Sequence, residues 1–284
     1  MSTSVGPEEL SDARTADRYG RRIKVLVTVK ATPQPSRTYG DTVCVAGVVV
    51  SPGPARWVRL YPVPFRYLDG ERQFAKYSIL DVAVRDAKTD KRSESLRIDA
   101  DSLTIREVVR GWPKRAELVE AVVGPTMCEV LEMVRSDMNA ISLAAVRPRE
   151  VLGLEFEKHP GWTSDELARF QEWESKGDLL AAAPKRLLAA PRLKAKLSYY
   201  CETRTCHGHT QRNIDWELTA LQSKLWLDDD DALKAKITEN FLTQMFAKDR
   251  SPLIYVGNQE NPRRRSAFTV LGVYYPKTAE IPAT

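Results

Sequence analysis

Ile23-Lys24-Val25-Leu26-Val27-Thr28-Val29-Lys30 is β-branched and partly alternating, and after a Pro-rich loop residues 42–50 repeat that character. Val, Ile and Thr at a period near two pack on a pleated surface, so both runs are predicted strands. Working outward, the turn signal Ser51-Pro52-Gly53-Pro54 precedes a third strand at 57–61, and a loop containing Asp69-Gly70 precedes a fourth at 77–84. Four strands with Pro/Gly-rich turns and no helix between them predict a small, mostly antiparallel barrel or curled sheet up to about residue 100.

The pattern then changes. Pro113 suits the first turn of a helix to about residue 123 with Leu118, Val119 and Val122 on one side, and a second helix starts at Thr126 after Gly124-Pro125. Val151, Leu152, Leu154 and Phe156 mark an extended segment, Ser164-Asp165-Glu166 opens a charged helix, and 179–193 reads as a connector. A strand over 194–200 leads into a Cys/His loop. Ile214, Leu218, Leu221 and Leu225 recur at helical spacing, as do Leu233, Ile237, Phe241 and Met245, with the acidic residues 228–231 placed to favour the second helix's N-terminus. Apolar strands at 253–256 and 268–275 close the chain. The expected class is α+β: a flexible tail over 1–22, a β-rich lobe over 23–104, a mainly helical middle and connector over 105–193, and a C-terminal α+β lobe with a Cys/His loop over 194–284.

Composition narrows the function classes. Lys plus Arg exceed Asp plus Glu by 43 to 38, a mild basic bias that permits a polyanionic partner. Residues 1–22 lack the apolar run of a secretory signal, and no stretch approaches the roughly 20 apolar residues that span a bilayer. A soluble, cytoplasmic protein without a membrane partner is expected, its four cysteines reduced and either buried or metal-bound. No Gly-x-Ser-x-Gly elbow, P-loop or Gly-x-Gly-x-x-Gly is present, so serine hydrolase, NTPase and dinucleotide-binding readings have no support.

Chemically special side chains concentrate in Cys201-Glu202-Thr203-Arg204-Thr205-Cys206-His207-Gly208-His209, followed by Asp215-Trp216-Glu217. Zinc takes thiolate and imidazole ligands in a tetrahedron, so Cys201, Cys206 and His209 are candidate ligands with His207 as an alternate. A closed site needs a fourth partner, for which His159, Cys128, Cys44 and Asp215 are the candidates; otherwise water completes an open site. Asp215 and Glu217 are candidate catalytic carboxylates, but two positions apart on a helix they diverge by about 200° and cannot serve one reacting atom unless the helix starts after them. The bland reading is an acidic first turn that favours the helix dipole.

Three segments mix guanidinium groups with aromatics or turn residues. Arg37 and Tyr39, then Arg59, Tyr61 and Arg66, then Arg263, Arg264 and Arg265 are candidate nucleic-acid contacts, since Arg forks match phosphate and aromatic rings stack on bases. Alternating Arg and apolar residues equally describe a half-solvated sheet. Asn258 and Gln259 are further polar candidates beside the triple arginine.

The string from Ser198 to Glu217, with Tyr255-Val256-Gly257-Asn258-Gln259 and Phe268-Thr269-Val270-Leu271-Gly272-Val273-Tyr274-Tyr275-Pro276, resembles a family of uncharacterised bacterial proteins. Val27-Thr28-Val29-Lys30 and Val58-Arg59-Leu60-Tyr61-Pro62-Val63-Pro64-Phe65-Arg66 resemble the same family's opening. The resemblance implies a setting among mobile-element or defence genes and no assigned activity. The leading expectation is a nucleic-acid-binding protein, RNA or DNA, with a structural zinc site. The alternatives are a metal-dependent hydrolase of the nuclease or phosphodiesterase class, with Asn258, Gln259 and the arginines orienting phosphate, and a non-catalytic interaction subunit.

Overall fold

A computed structural model describes residues 20–33, 42–68, 70–137, 139–175 and 187–281. The tail expected over 1–22 lies almost wholly outside these, as do Arg37, Tyr39 and most of the connector. The chain is α+β. Its first six strands are β1 (Arg21–Lys30), β2 (Val43–Ser51), β3 (Arg56–Val63), β4 (Ser78–Asp86), β5 (Ser95–Ile98) and β6 (Thr104–Val108). They run in the order β1-β2-β3-β5-β4, and β4 returns to pair with β1, so five strands close a barrel. Along its other edge β4 pairs with β6 over Ser78–Asp81 and with β5 over Val84–Asp86. Closure leaves no open edge around the barrel.

Val25, Val27, Val45, Leu60, Leu80 and Val82 fill the barrel interior. The opposite face of β1 and β2 is not solvated. Leu26, Val29 and Ala46 pack there with helix α1 (Trp112–Val119) and with residues of a second sheet. Burial on both faces explains why the opening run alternates only partly: outward positions also had to be apolar. The close fit is sharpest at Gly47, where an added Cβ would stand 2.2 Å from the Leu26 carbonyl oxygen. Gly47→Ala is therefore expected to cost about 1–3 kcal/mol through overpacking, read from the midpoint of urea unfolding.

The second sheet comprises β7 (Leu143–Val146), β8 (Pro148–Lys158), β9 (Leu193–Cys201), β10 (His209–Asn213), β11 (Leu253–Asn258) and β12 (Phe268–Tyr274), ordered β7-β11-β12-β10-β9-β8. Helix α2 (Met127–Ser136) packs on it through Met127, Val130 and Val134. Helix α3 (Ser164–Ser175) follows β8, and α4 (Trp216–Lys224) and α5 (Asp230–Thr238) pack near β9 through Leu218, Leu233 and Ile237. Asp229 caps α5, accepting from the Asp231 and Ala232 amides, which is the capping role expected of the acidic run.

Four short strands, β5, β6, β7 and β10, have no counterpart in the sequence reading. β10 matters most, because the segment after the Cys/His loop reads as a direct approach to a helix. Its inward residues are polar, Gln211 and Asn213, so apolar alternation does not reveal it. They are buried at acceptable cost because they are bonded: Gln211 Oε1 accepts from Tyr199 Oη at 2.9 Å, and Asn213 Oδ1 accepts from the Asp215 amide at 2.9 Å.

Barrel and sheet are locked together by polar struts. The Glu94 carboxylate accepts from the Ser142 amide and hydroxyl at 2.7 and 2.9 Å, and Arg92 donates to the Asn258 carbonyl at 2.6 Å. Trp57 meets Tyr255 edge-on at 5.7 Å between ring centres.

Candidate metal centre and the surrounding sites

α2 begins with a capping box: Thr126 Oγ1 accepts from the Glu129 amide, and the Glu129 carboxylate accepts from the Thr126 amide. That cap sets Cys128 in the first turn of α2, facing the end of β9 and the start of β10. The Thr126 hydroxyl also bonds that of Thr203 at 2.8 Å, tying the helix start to the Cys/His turn. Within the turn the Cys206 amide donates to the Thr203 carbonyl at 3.0 Å, and the Gly208 amide donates to Cys206 Sγ at 3.4 Å. Gly208 has φ of +98°, a conformation that favours glycine.

The result is a set of four soft donors. The sulfurs of Cys128, Cys201 and Cys206 and a nitrogen of His209 all lie within 4.8 Å of one another. The Cys201 and Cys128 sulfurs are 3.5 Å apart, and His209 Nε2 is 3.5 Å from Cys128 Sγ and 3.3 Å from Cys206 Sγ. Zn–S bonds of about 2.3 Å and Zn–N bonds of about 2.0 Å in a tetrahedron require donor separations of roughly 3.5–3.8 Å, so the cluster has the dimensions to hold an ion. Cys201 and Cys206 are buried, and Cys128 and His209 half-buried. Burial opposes ionisation of Cys201, yet hydrogen bonding with Cys128, His209 and Thr203 outweighs it and lowers its pKa. The neighbouring Cys128 thiol is pushed the other way, first by burial and then by Cys201 and Cys206.

Of the four partners considered for the fourth position, Cys128 alone joins the cluster. His159 Nδ1 accepts from the Gly161 amide and its ring meets Trp162, Cys44 Sγ accepts from Arg59 at 3.4 Å, and Asp215 stands beyond β10. His207 is exposed and outside the set.

Asp215 and Glu217 do not diverge. Asp215 is the N-cap of α4, so helical geometry does not govern it, and both carboxylates reach one cation: Lys76 Nζ is 2.6 Å from Asp215 Oδ2 and 3.2 Å from Glu217 Oε2. The other Asp215 oxygen accepts from the Glu217 amide at 3.0 Å. Asp215 is 1% exposed and the Lys76 side chain 9%. Burial raises the Asp215 pKa against the pull of Lys76, and the two acids overcome the burial of Lys76 to raise its own. Lys30 lies close by, its ammonium donating to the Phe74 carbonyl and standing 4.5 Å over the Phe65 ring, with its pKa lowered by burial.

The arginine and tyrosine candidates separate into groups. Arg59 is 4% exposed and donates to the Ser142 carbonyl at 3.1 Å and hydroxyl at 3.3 Å, joining barrel to sheet. Arg265 is likewise buried, donating to Asn258 Oδ1 and the Ala140 carbonyl, while Asn258 Nδ2 donates back to its carbonyl. Neither matches the exposed phosphate contact that the sequence suggests, and Asn258 is engaged with Arg265. Arg66 is half-buried against the Tyr67 ring, and Tyr61 is half-buried at a cleft. Arg263, Arg264 and Gln259 are exposed.

That cleft is the feature sequence reasoning missed. It occupies about 640 Å³ between barrel and sheet and is lined by five cations, Arg59, Arg85, Lys88, Arg92 and Arg97, against two carboxylates, Asp90 and Glu260. A second depression shares Thr89, Asp90, Arg92 and Glu260 with it and extends to Asn261, which precedes the turn Pro262–Arg264. No motif announces the cleft, since its residues come from distant segments.

A domain of unknown function (DUF8757) matches residues 123–284, more than half of the chain. The chain belongs to this family. A second domain of unknown function (DUF8758) matches residues 21–121, which carry the barrel of this DUF8757 protein. No curated protein matches in sequence. Among solved structures, a murine DNA binding protein bound with double-stranded DNA is 10% identical, with 93% of this chain and 98% of that chain covered and a TM-score of 0.30. The Ifi202 HINa domain in complex with 20-bp double-stranded DNA is 8% identical, with 91% and 97% covered and a TM-score of 0.30. Similarity at that level carries no argument. Among the described residues no helix is long and apolar enough to cross a membrane.

Proposed function

We propose that this chain is a nucleic-acid-binding protein whose second sheet is held by one structural zinc ion on Cys128, Cys201, Cys206 and His209. The observation that carries the binding role is the cation-lined cleft between barrel and sheet, continued toward the exposed Arg263 and Arg264. Phosphate contacts from Lys and Arg supply most sequence-independent affinity for nucleic acid. Zinc, when bound, would clamp α2 to the ends of β9 and β10 through four protein ligands, the closed arrangement of structural rather than catalytic sites. The thiols fit a reducing compartment such as the cytoplasm. The hydrolase alternative is less favoured, because four side-chain donors leave no position for water and both Asp215 oxygens are already engaged.

The test is fluorescence anisotropy with RNA, single-stranded DNA and duplex DNA across a salt series. Affinity should fall as salt rises, and Lys88→Glu with Arg264→Glu should weaken binding to every sequence and reduce the salt slope by about 2, roughly one for each phosphate left without its cation. Binding that ignores salt, or no binding to any of the three, defeats the proposal.

A further inference from the structure

We infer that the cleft between barrel and sheet is a pocket for one nucleotide, a phosphate with its attached nucleoside. The inference rests on the nucleic-acid reading and names the unit held. A volume of about 640 Å³ is that of a small-molecule site and not of a seat for a length of double helix.

The two walls differ in chemistry. On the barrel side, side chains two apart on a strand share a face, so Arg59 and Tyr61 of β3 point the same way. Arg59 is registered with Ser95 of β5, Arg97 follows two residues on, and Arg85 of β4 stands directly opposite Arg97. All five line the cleft. Arginine forks donate in pairs to phosphate oxygens, so guanidinium groups gathered on one face suit a phosphate. Lys88, exposed, adds a further cation to the lining. On the sheet side Ile214 and Leu271 offer an apolar surface, with Thr269 and Gln259 as hydrogen-bonding neighbours. With the Tyr61 ring, that combination suits a base, which needs a flat contact and a few polar groups at its edge.

Two lining residues carry buried polar atoms with no hydrogen-bond partner, Thr42 Oγ1 and Arg59 Nε. The Arg59 guanidinium is anchored elsewhere, by Ser142 and Cys44, so its unpaired Nε is held in place by the fold. Thr42 is 9% exposed and its hydroxyl has no hydrogen-bond partner among the described residues. Buried orphans of this kind call for an explanation, and on this proposal each donor meets an oxygen of the seated nucleotide.

Calorimetric titration of the full chain with adenosine and uridine 5′-monophosphates, the matching nucleosides and inorganic phosphate provides the test. The variant is Thr42→Val, which keeps the shape, removes the hydroxyl and breaks no bond of the free protein. A monophosphate should bind at least about tenfold more tightly than its nucleoside or than phosphate alone. Thr42→Val should lose about tenfold in monophosphate affinity, the loss of one hydrogen bond, with an unfolding midpoint equal to the parent's or higher, since a methyl replaces a buried unbonded hydroxyl, and an unchanged salt slope for oligonucleotides. A 5′-phosphorylated oligonucleotide that displaces the monophosphate identifies a strand end as the source, and one that does not identifies a free nucleotide. Monophosphate and nucleoside binding alike, or Thr42→Val binding as the parent does, overturns the pocket. Strand binding that persists in that event leaves the nucleic-acid reading standing, whereas monophosphate binding without any strand binding overturns that reading alone.

Discussion

Cys128→Ser is expected to release the metal and lower the thermal midpoint by roughly 10–15 °C, a loss on the order of 4–5 kcal/mol typical of a structural metal site. Cys128 comes from α2, whereas the other three donors come from one β9–β10 turn. Three ligands on a single turn would hold an ion but join nothing distant; the fourth would convert the ion into a clamp between helix and sheet. Binding energy and folding energy are then the same quantity, because the unfolded chain has no assembled site. Thr126 keeps the helix start in position with its capping box, so the substitution removes a ligand and not the cap. Cys44→Ser is the control: that thiol lies in the barrel with Arg59 for a partner, and the variant should keep one metal per chain and nearly the parental midpoint. Elemental analysis of untagged protein with paired thermal scans decides the matter. If Cys128→Ser retains stoichiometric metal, or if the parent purifies with none, the clamp does not exist. Acid should also release the ion, since its ligands must be deprotonated.

The second large effect belongs to Lys76. Lys76→Met leaves Asp215 buried without the cation bonded to it, and removing one partner of a buried pair costs about 3–5 kcal/mol. The pH dependence follows from the direction of the shift. Burial already raises the Asp215 pKa above its ordinary value, and removing Lys76 raises it further. A carboxyl whose folded pKa exceeds its unfolded one contributes stability when protonated, and that contribution is lost as pH rises through the folded value. Lys76→Met should therefore be least damaging in acid and most damaging near neutrality, and Lys76→Met with Asp215→Asn should recover part of the loss. In the parent, the raised Lys76 pKa favours folding below about 10.5, the ordinary lysine value, with the benefit lost as pH rises beyond it toward the folded pKa. Urea unfolding of Lys76→Met at pH 5 and 8 checks its expected pH dependence, and a destabilisation independent of pH would mean that Lys76 acts by packing instead of charge.

Much of the fold is legible where burial is one-sided or complete. Val25, Val27, Val45 and Leu60 announce the barrel, and Leu218 and Leu233 announce two helices, because apolar side chains must recur at the period of the backbone that buries them. β10 escapes because Gln211 and Asn213 replace hydrophobic burial with hydrogen bonds, which leave no periodic trace. β5 and β7 escape because four residues are too few to establish a period.

For the candidate site, nine consecutive residues supply Cys201, Cys206 and His209, since a turn brings neighbours together without help from the rest of the chain. Which of four distant groups completes the set depends on how α2 packs against the sheet, a long-range arrangement encoded in many weak contacts and in no local motif. Charge was misleading for the same reason. Arg59 and Arg265 read as surface cations, but the meeting of barrel and sheet buries both against backbone carbonyls, and the same meeting encloses the cleft. Amino-acid order alone therefore determined the longer strands, the helices and three donor atoms, all of which depend on neighbours along the chain. The fourth sulfur, the Lys76 pairing and the cationic hollow exist only once residues far apart along the chain are packed together.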